Sequence, residues 1–325
     1  MQEGEKSIIR LRILIPSVFF ACSILLFWGY LDVRMKPPET FHPDTLIEIP
    51  EGYTLSAIAN QLRDASVIRS PLLFKLAVQH YGKEKSIPSG AYLFKNPASV
   101  LTIAKQMALG EHGMETLKVT LPEGLTVSEM AKVLSKVLPN FESTVFLADA
   151  KGSEGYLFPD TYFFFSTATS GEVLFALKED FNKKTQPLKT EAAALRKNWN
   201  DILIMASLIE EEAATPEDRR IVSGILWKRL ASGMRLQVDA TFSYTIGKGS
   251  LELTEEDLKS DSPYNTYRTK GLPPTPIANP GLDAIDASLH PTQTPYVYYL
   301  SEKNGVMHYA KTFAEHKLAK ARYLR

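Results

Sequence analysis

The chain has 325 residues, enough for more than one folded domain. Lysine plus arginine and aspartate plus glutamate both number 37, so no net charge draws the protein to nucleic acid. The single cysteine, Cys22, excludes an intrachain disulfide, and the six histidines show no metal-ligand spacing. We therefore expect no metal or other cofactor and no nucleic-acid partner.

An uncharged, apolar run near the N-terminus extends from Ile13 to Leu31. As a helix it would span roughly 28 Å, close to the hydrocarbon thickness of a bilayer. Basic residues precede it, which favours a short cytoplasmic tail at 1–12. We therefore predict a single-pass membrane anchor at 13–31. A cleaved signal peptide is the alternative, but the run ends without the small residues typical of a cleavage site.

A proline-containing segment, 32–43, follows and is typical of an extended linker. Beyond it an internal repeat organises the chain. The segment Ile49–Ala59 (IPEGYTLSAIA) returns as Leu121–Ala131 (LPEGLTVSEMA), and each copy predicts the order strand, helix, helix, strand, helix. Thr54 and Thr126 stand after a Pro-Glu-Gly turn, where each can cap the helix that follows.

The first copy, 44–116, resembles a LysM repeat, a small βααβ module that binds N-acetylglucosamine polymers. The second copy, 117–184, matches that pattern less well. A duplicated structural spacer is the alternative interpretation, because a turn followed by an amphipathic helix is a common arrangement.

The C-terminal part, 185–325, has a different character. A helix is predicted from Asp201 to about Ala213, and it is buried because its residues are apolar almost all round. Thr215 and Pro216 start a second helix, since threonine is a good cap and proline suits the first helical position. A proline-rich loop region and a short hairpin complete the chain.

Three consecutive acids, Glu210, Glu211 and Glu212, stand at the C-terminal end of the buried helix. The negative pole of the helix dipole disfavours carboxylates there by ~0.3–1 kcal/mol each, and like charges add to that cost. Such a breach of a local rule often marks a functional site. Small residues around Glu210 would leave room for a bulky substrate. The alternative is an acidic helix end that frays into solvent.

Several motifs resemble those of the YceG/MltG-like endolytic murein transglycosylases, and the likeness covers nearly the whole chain. They follow the family's order: Glu154–Tyr162, Leu203–Ala213, Met234–Thr241, Ser262–Tyr267, Gly271–Pro274 and Ile277–Gly281. One departure is visible, since Ala240 stands where the family has proline. The resemblance implies that Glu210, the first acid of its segment, is the catalytic residue.

The resemblance also implies the reaction, which is cleavage of the β-1,4 bond between N-acetylmuramic acid and N-acetylglucosamine in nascent peptidoglycan strands. The glutamic acid protonates the leaving oxygen, and its carboxylate then takes the proton of the muramic C6 hydroxyl, which leaves a 1,6-anhydromuramyl end. Glu212 and Asp239 are candidates to support the charge at C1. Gln237, Asn265 and Tyr267 are candidates for substrate contacts, with loop scaffolding as the alternative role.

Two other functions stay open at this point. The same fold could act as a muramidase, a hydrolase in which Asp239 holds a water. A non-catalytic, membrane-tethered wall-binding scaffold is the second alternative, and such a scaffold would not depend on Glu210.

The predicted fold is α+β. It comprises a single N-terminal transmembrane helix, a LysM-like βααβ module in a duplicated pattern, and a mixed α/β catalytic region at 117–325 with its core at 185–325. By family analogy we expect an enzyme of the cytoplasmic (inner) membrane whose catalytic part faces the periplasm or cell wall. Its expected partners are peptidoglycan strands and peptidoglycan synthases.

Overall fold

The computed structural model describes residues 22–81, 87–302 and 304–324. Helices and strands are mixed along the chain, which divides into two compact units, Met1–Glu115 and Thr116–Arg325.

The first described helix, α1, covers residues 22–35. Residues 13–21 of the predicted anchor lie outside the described residues. The last turns of the described helix carry Asp32 and Arg34. No helix in the described part of the chain is both long and apolar enough to cross a membrane. The predicted fold class, with a transmembrane helix at 13–31, is therefore wrong on this point.

The first unit is built on a two-stranded antiparallel sheet. Strand β1 (Thr45–Ile49) pairs with β2 (Gly90–Phe94), with Ile47 opposite Tyr92. Helices α2 (Leu55–Asp64) and α3 (Pro71–His80) connect the strands, and α4 (Val100–Ala108) follows. Alternate strand residues face the helices, as the period of a strand requires. The resulting core includes Ile47, Ile58, Leu62, Phe74, Tyr92 and Ile103.

The second unit begins with the same order of elements. Strand β3 (Thr116–Thr120) pairs antiparallel with β4 (Thr161–Phe165), and Val119 lies opposite Tyr162. The other elements are α5 (Val127–Val137), α6 (Ser143–Asp149) and α7 (Ser170–Ala194). Their core includes Val119, Met130, Leu134, Phe146 and Leu177.

Both repeated turns end in the predicted helix caps. The Thr54 side chain accepts a hydrogen bond from the backbone N of Ala57 at 3.2 Å and starts α2. Thr126 starts α5 in a reciprocal arrangement with Glu129. The prediction that these two threonines cap their helices is confirmed.

The rest of the second unit surrounds one buried helix, α8 (Trp199–Glu212), in which every residue from Ile202 to Ile209 is buried. Because α8 is apolar all round, it packs against both α9 (Pro216–Ala231) and α12 (Leu282–Leu289). The remaining elements are α10 (Ala240–Ile246), α11 (Glu255–Lys259), β5 (Tyr298–Ser301), β6 (Met307–Ala310) and α13 (Phe313–Tyr323). Helix α8 thus carries its three acids from the core to the edge of the unit.

Candidate active site

Glu210 lies in the last turn of α8, and its side chain is only 5% exposed. Oε1 accepts a hydrogen bond from Nη2 of Arg219, and Oε2 accepts one from the backbone N of Gly281 at 2.9 Å. Burial raises the pKa of Glu210, although the Gly281 N–H and the Arg219 charge act in the opposite direction. Both oxygens of the Glu210 carboxylate therefore accept hydrogen bonds, and burial nevertheless makes Glu210 bind its proton more tightly than an exposed glutamate does.

Arg219 occupies the first turns of α9, where the Thr215 cap and Pro216 start the helix. Its Nε donates to the backbone O of Ala213 at 3.0 Å, so the guanidinium also closes the connection between α8 and α9. Its Nη2 is 3.6 Å from Oε2 of Glu123. The Arg219 side chain is only 8% exposed, and a guanidinium so deeply buried needs nearby negative charge. Glu210 and Glu123 supply that charge.

Glu123 comes from the Pro-Glu-Gly turn of the second repeat copy. Its carboxylate packs so closely against Gly281 that a Cβ built on that glycine would lie 1.8 Å from Oε1. Any side chain at position 281 would displace Glu123. The Asn-Pro-Gly motif therefore ends in glycine because a carboxylate of the repeat occupies the space that a Cβ would need.

Asn279, the first residue of the Asn-Pro-Gly motif, is 0% exposed. Its Oδ1 accepts hydrogen bonds from the backbone N of Gly155 at 2.9 Å and of Leu157 at 3.0 Å. Its Nδ2 donates at 2.9 Å both to the backbone O of Leu125 and to Oε1 of Glu154. Every donor and acceptor of the amide is therefore used, and the Glu-Gly-Tyr-Leu-Phe and Asn-Pro-Gly motifs are joined through one side chain.

The space beside Glu210 is filled by protein. Ser207, one turn before Glu210, accepts a hydrogen bond from the backbone N of Ile277 at 3.0 Å, and Ala206 is fully buried. The expectation that small neighbours leave room for substrate is therefore wrong at these two positions. Their small size lets the segment 277–281 lie directly on α8, which brings Gly281 to Glu210.

A cavity of about 450 Å³ lies beside Glu123. The first turn of α12, Leu282 and Asp283, forms one side of it immediately after Gly281. The other side comes from α7 and the segment before β4, with Phe158, Pro159, Asp160 and Lys184. Lys184 pairs with Asp160 and Asp180, so its charge is already neutralised. Glu123, which lies 3.6 Å from Arg219, thus borders this cavity.

Glu154 is a carboxyl whose burial raises its pKa to about 7, and the nearby charge of Glu129 acts in the same direction. The unfolded chain releases this proton near the ordinary value of 4.5, so the folded chain binds it more tightly. The contribution of Glu154 to stability is therefore greatest below about pH 4.5 and is lost as the pH rises towards 7.

We expect Glu154→Gln to stabilise the protein at pH 8 by up to about 3 kcal/mol and to change little at pH 4.5. Glutamine can keep both bonds to Oε1, one from Asn279 and one from the backbone N of Val127 at 3.0 Å. Urea unfolding of both proteins at the two pH values measures the difference. If the two proteins differ in free energy of unfolding by the same amount at both pH values, the raised pKa of Glu154 is not the cause.

The other two acids of α8 have different surroundings. Glu211 is an exposed residue whose carboxylate packs against Gly124, where a Cβ would lie 2.7 Å from Oε1. Loss of solvent around the carboxylate raises the pKa of Glu211 to about 7, with help from the charges of Glu210 and Glu129. Glu211 therefore lies over the second repeat turn and does not extend freely into water.

Burial also raises the pKa of Glu212 to about 7; Asp239 adds to this effect, whereas Tyr299 and Arg229 oppose it. The Tyr267 hydroxyl donates a hydrogen bond to Oδ1 of Asp239. Residues two positions apart in a helix point about 200° apart, so Glu210 and Glu212 face different partners. The structure thus brings Glu212, Asp239 and Tyr267 together and places Glu210 with Arg219 and Glu123.

The two remaining predicted residues lie near this second group. Asn265 is 1% exposed; its Nδ2 donates to the backbone O of Ser260 at 2.8 Å and its Oδ1 accepts from the N of Tyr267 at 3.0 Å. Gln237 is exposed and has a φ of 51°. Asn265 therefore shapes the loop that carries Tyr267, while substrate contact by Gln237 stays a prediction.

Comparison with known proteins identifies the family. The YceG-like family matches residues 47–322. The chain belongs to this family. This result confirms the resemblance that the separated motifs predict.

Proteins with curated names resemble the chain over most of its length. An endolytic murein transglycosylase of Bacillus subtilis (strain 168) is 32% identical over 318 residues, covering 89% of this chain and 88% of that protein. A protein of the same name from Streptococcus pneumoniae (strain D39) is 27% identical, and the match spans 56% of that longer protein. A crystal structure of a yceG-like protein from Listeria monocytogenes superposes with a TM-score of 0.58 at 29% identity, covering 85% of this chain and 99% of that one.

Sequence reasoning missed Glu123, Arg219 and Asn279 as parts of the site. The signals for Glu123 and Asn279 were present, because each belongs to a motif quoted from the sequence. Neither motif shows by itself that its polar residue belongs to the surroundings of Glu210. Glu123 contacts Arg219, and Asn279 holds the segment that carries Gly281, through contacts between distant parts of the sequence. Arg219 had no separate signal, because a basic residue in the first turns of a helix is ordinary.

Proposed function

We infer that this chain is a peptidoglycan lytic transglycosylase and that Glu210 is its catalytic acid. The observation that carries this assignment is a carboxyl buried at the end of α8 and held through both oxygens by Arg219 and the Gly281 N–H. Burial also raises its pKa. Its membership of the YceG-like family and the named activity of the Bacillus relative support the same reaction.

The reaction begins with protonated Glu210. Its proton passes to the oxygen that joins C1 of N-acetylmuramic acid to N-acetylglucosamine, and the C1–O bond breaks. The C6 hydroxyl oxygen of the muramic residue then bonds to C1, and its proton returns to the Glu210 carboxylate. No water is consumed, and the new end is a 1,6-anhydromuramyl group. One residue therefore serves as acid and then as base, which requires a pKa near neutrality.

Arg219 and the Gly281 N–H act on the carboxylate that forms after the first proton transfer. Both groups are already in hydrogen-bonding positions on Glu210, so they need no rearrangement when negative charge develops. Burial acts in the other direction and favours the protonated acid. Burial thus stabilises protonated Glu210, and the two hydrogen bonds stabilise its carboxylate. Glu210 needs both, because it must donate a proton and then accept one.

The muramidase alternative requires a carboxylate that positions a water opposite the acid. Asp239 was the candidate for that role, but it accepts a hydrogen bond from Tyr267 and lies in the group around Glu212. We expect mass spectrometry of digested, uncrosslinked glycan strands to show products one water lighter than hydrolytic fragments. Reducing muramic ends in their place would assign the hydrolase, and intact strands would favour the scaffold.

Three further features of this function stay predictions. These are glycan binding by residues 44–116, a catalytic part that faces the periplasm or cell wall, and interaction with peptidoglycan synthases. The proposed substrate supports the proposed location, because peptidoglycan lies outside the cytoplasm.

A further inference from the structure

The site contains a conflict that the proposed mechanism must resolve. Glu210 has to carry a proton before it can donate one. Arg219, however, pairs directly with Glu210 and favours its ionised form. A protonated Glu210 would leave the guanidinium, whose side chain is only 8% exposed, without its closest negative partner. An unpaired charge at that depth costs several kcal/mol.

Glu123 is the second carboxylate on the same guanidinium nitrogen. Its Oε2 is 3.6 Å from Nη2 of Arg219, the atom that also binds Glu210. The Glu123 side chain is 47% exposed, so its ionised form remains solvated, whereas that of Glu210 is almost completely buried. Of the two carboxylates, the exposed one is better suited to stay charged while the buried one binds a proton.

The turn that carries Glu123 is fixed to the Glu210 loop. The backbone N of Gly124 donates to the O of Asn279 at 3.0 Å, and the backbone N of Asn279 donates to the O of Leu125 at 3.0 Å. Gly281, two residues further on, accommodates the Glu123 carboxylate and donates to Glu210. The same short segment therefore sets the positions of both acids.

We propose that Glu123 is a positioning residue for Glu210, acting as the alternative partner of Arg219 while Glu210 holds the proton it will donate. This inference rests on the proposed function. When Glu210 is protonated, Glu123 balances the guanidinium. When Glu210 has given up its proton, Arg219 stabilises the new carboxylate. Glu123 itself exchanges no proton with the substrate.

The charges facing Glu210 determine the expected effect of a change at Glu123. They come from four elements: Arg219 of α9, Glu123 of the turn after β3, Asp283 of α12 and Glu211 of α8. Glu123→Gln removes a negative neighbour and leaves Arg219 to pair with Glu210 alone. Both changes favour the ionised form, so Glu210 should lose its proton at lower pH.

The test is the pH dependence of kcat for release of anhydromuramyl ends, measured with the full chain. Loss of the Glu210 proton sets the alkaline limb of this profile. We expect Glu123→Gln to move that limb down by about one pH unit, because it removes a like charge that shares the Arg219 guanidinium with Glu210. Activity on the limb should then fall by about 10-fold, while the rate at lower pH is preserved.

Two matched variants separate charge from shape. Glu123→Asp keeps the negative charge and should keep the alkaline limb close to that of the unmodified chain. Glu51→Gln changes the corresponding acid of the first repeat turn, an exposed residue of the other unit, and should leave the limb unchanged. Thermal melting of each variant reports whether the fold is intact.

Several results would overturn the proposal. An unshifted limb in Glu123→Gln would do so, as would an equal shift in Glu123→Asp. A uniform loss of rate at every pH, with unchanged melting, would instead place Glu123 in the chemistry. Carboxyl ¹³C NMR, with Glu210 assigned by comparison with Glu210→Gln, follows the same shift without any activity. Absence of anhydromuramyl products from the unmodified chain would refute the proposed function, while the NMR titration would still decide the role of Glu123.

Discussion

Replacing Glu210 by glutamine is expected to reduce release of anhydromuramyl ends by about 10²–10⁴-fold. Glutamine can still accept the hydrogen bond from the Gly281 N–H, but it has no proton to donate at neutral pH and cannot act as a base. The loss should approach the upper end of this range, because one residue serves both proton transfers. The assay measures anhydromuramyl products from uncrosslinked glycan strands, with thermal melting as the check on folding.

Glu211→Gln is the matched control, since it changes the adjacent acid at the same helix end. We expect it to cleave at nearly the normal rate, because its carboxylate lies against Gly124 and not in the Arg219 pair. Glu212→Gln should be intermediate if Glu212 supports charge at C1. Full cleavage by Glu210→Gln together with inactivity of Glu212→Gln would mean that the catalytic acid lies on the other face of α8.

Replacing Asn279 by alanine is expected to lower the free energy of unfolding by about 4 kcal/mol. The change deprives the buried N–H groups of Gly155 and Leu157 of their acceptor and removes a donor from Glu154. Each buried group left without a partner costs about 1–3 kcal/mol. Activity should also fall, because Asn279 sets the position of Gly281. Urea unfolding and the product assay measure the two effects.

Asn140→Ala is a suitable control, since Asn140 is exposed in a turn of the same unit. Its effect should stay within about 0.5 kcal/mol. A loss below about 1 kcal/mol in Asn279→Ala would show that water replaces the amide. The network would then not be needed to join the two motifs.

The helix-cap and buried-helix predictions, which depended on local sequence patterns, were correct. The capping threonines, Thr54 and Thr126, and the buried helix α8 depend on residues within a few positions of one another, and the structure confirms them. The motifs around Glu210 also predicted the family correctly. The anchor prediction rested on the apolar run, its basic flank and its poor cleavage site, but no helix in the described part of the chain is long and apolar enough to cross a membrane.

The sequence by itself determined that three acids would end a buried helix, because hydrophobic periodicity and helix length are properties of neighbouring residues. Only the tertiary structure decided which partner each acid would meet. Glu210 pairs with Arg219 and Gly281, and Arg219 in turn reaches Glu123 in the second repeat copy. These contacts cross long stretches of chain, and packing around α8 brings them together. A carboxyl pKa depends on such surroundings, so the chemistry of Glu210 is set by the folded unit.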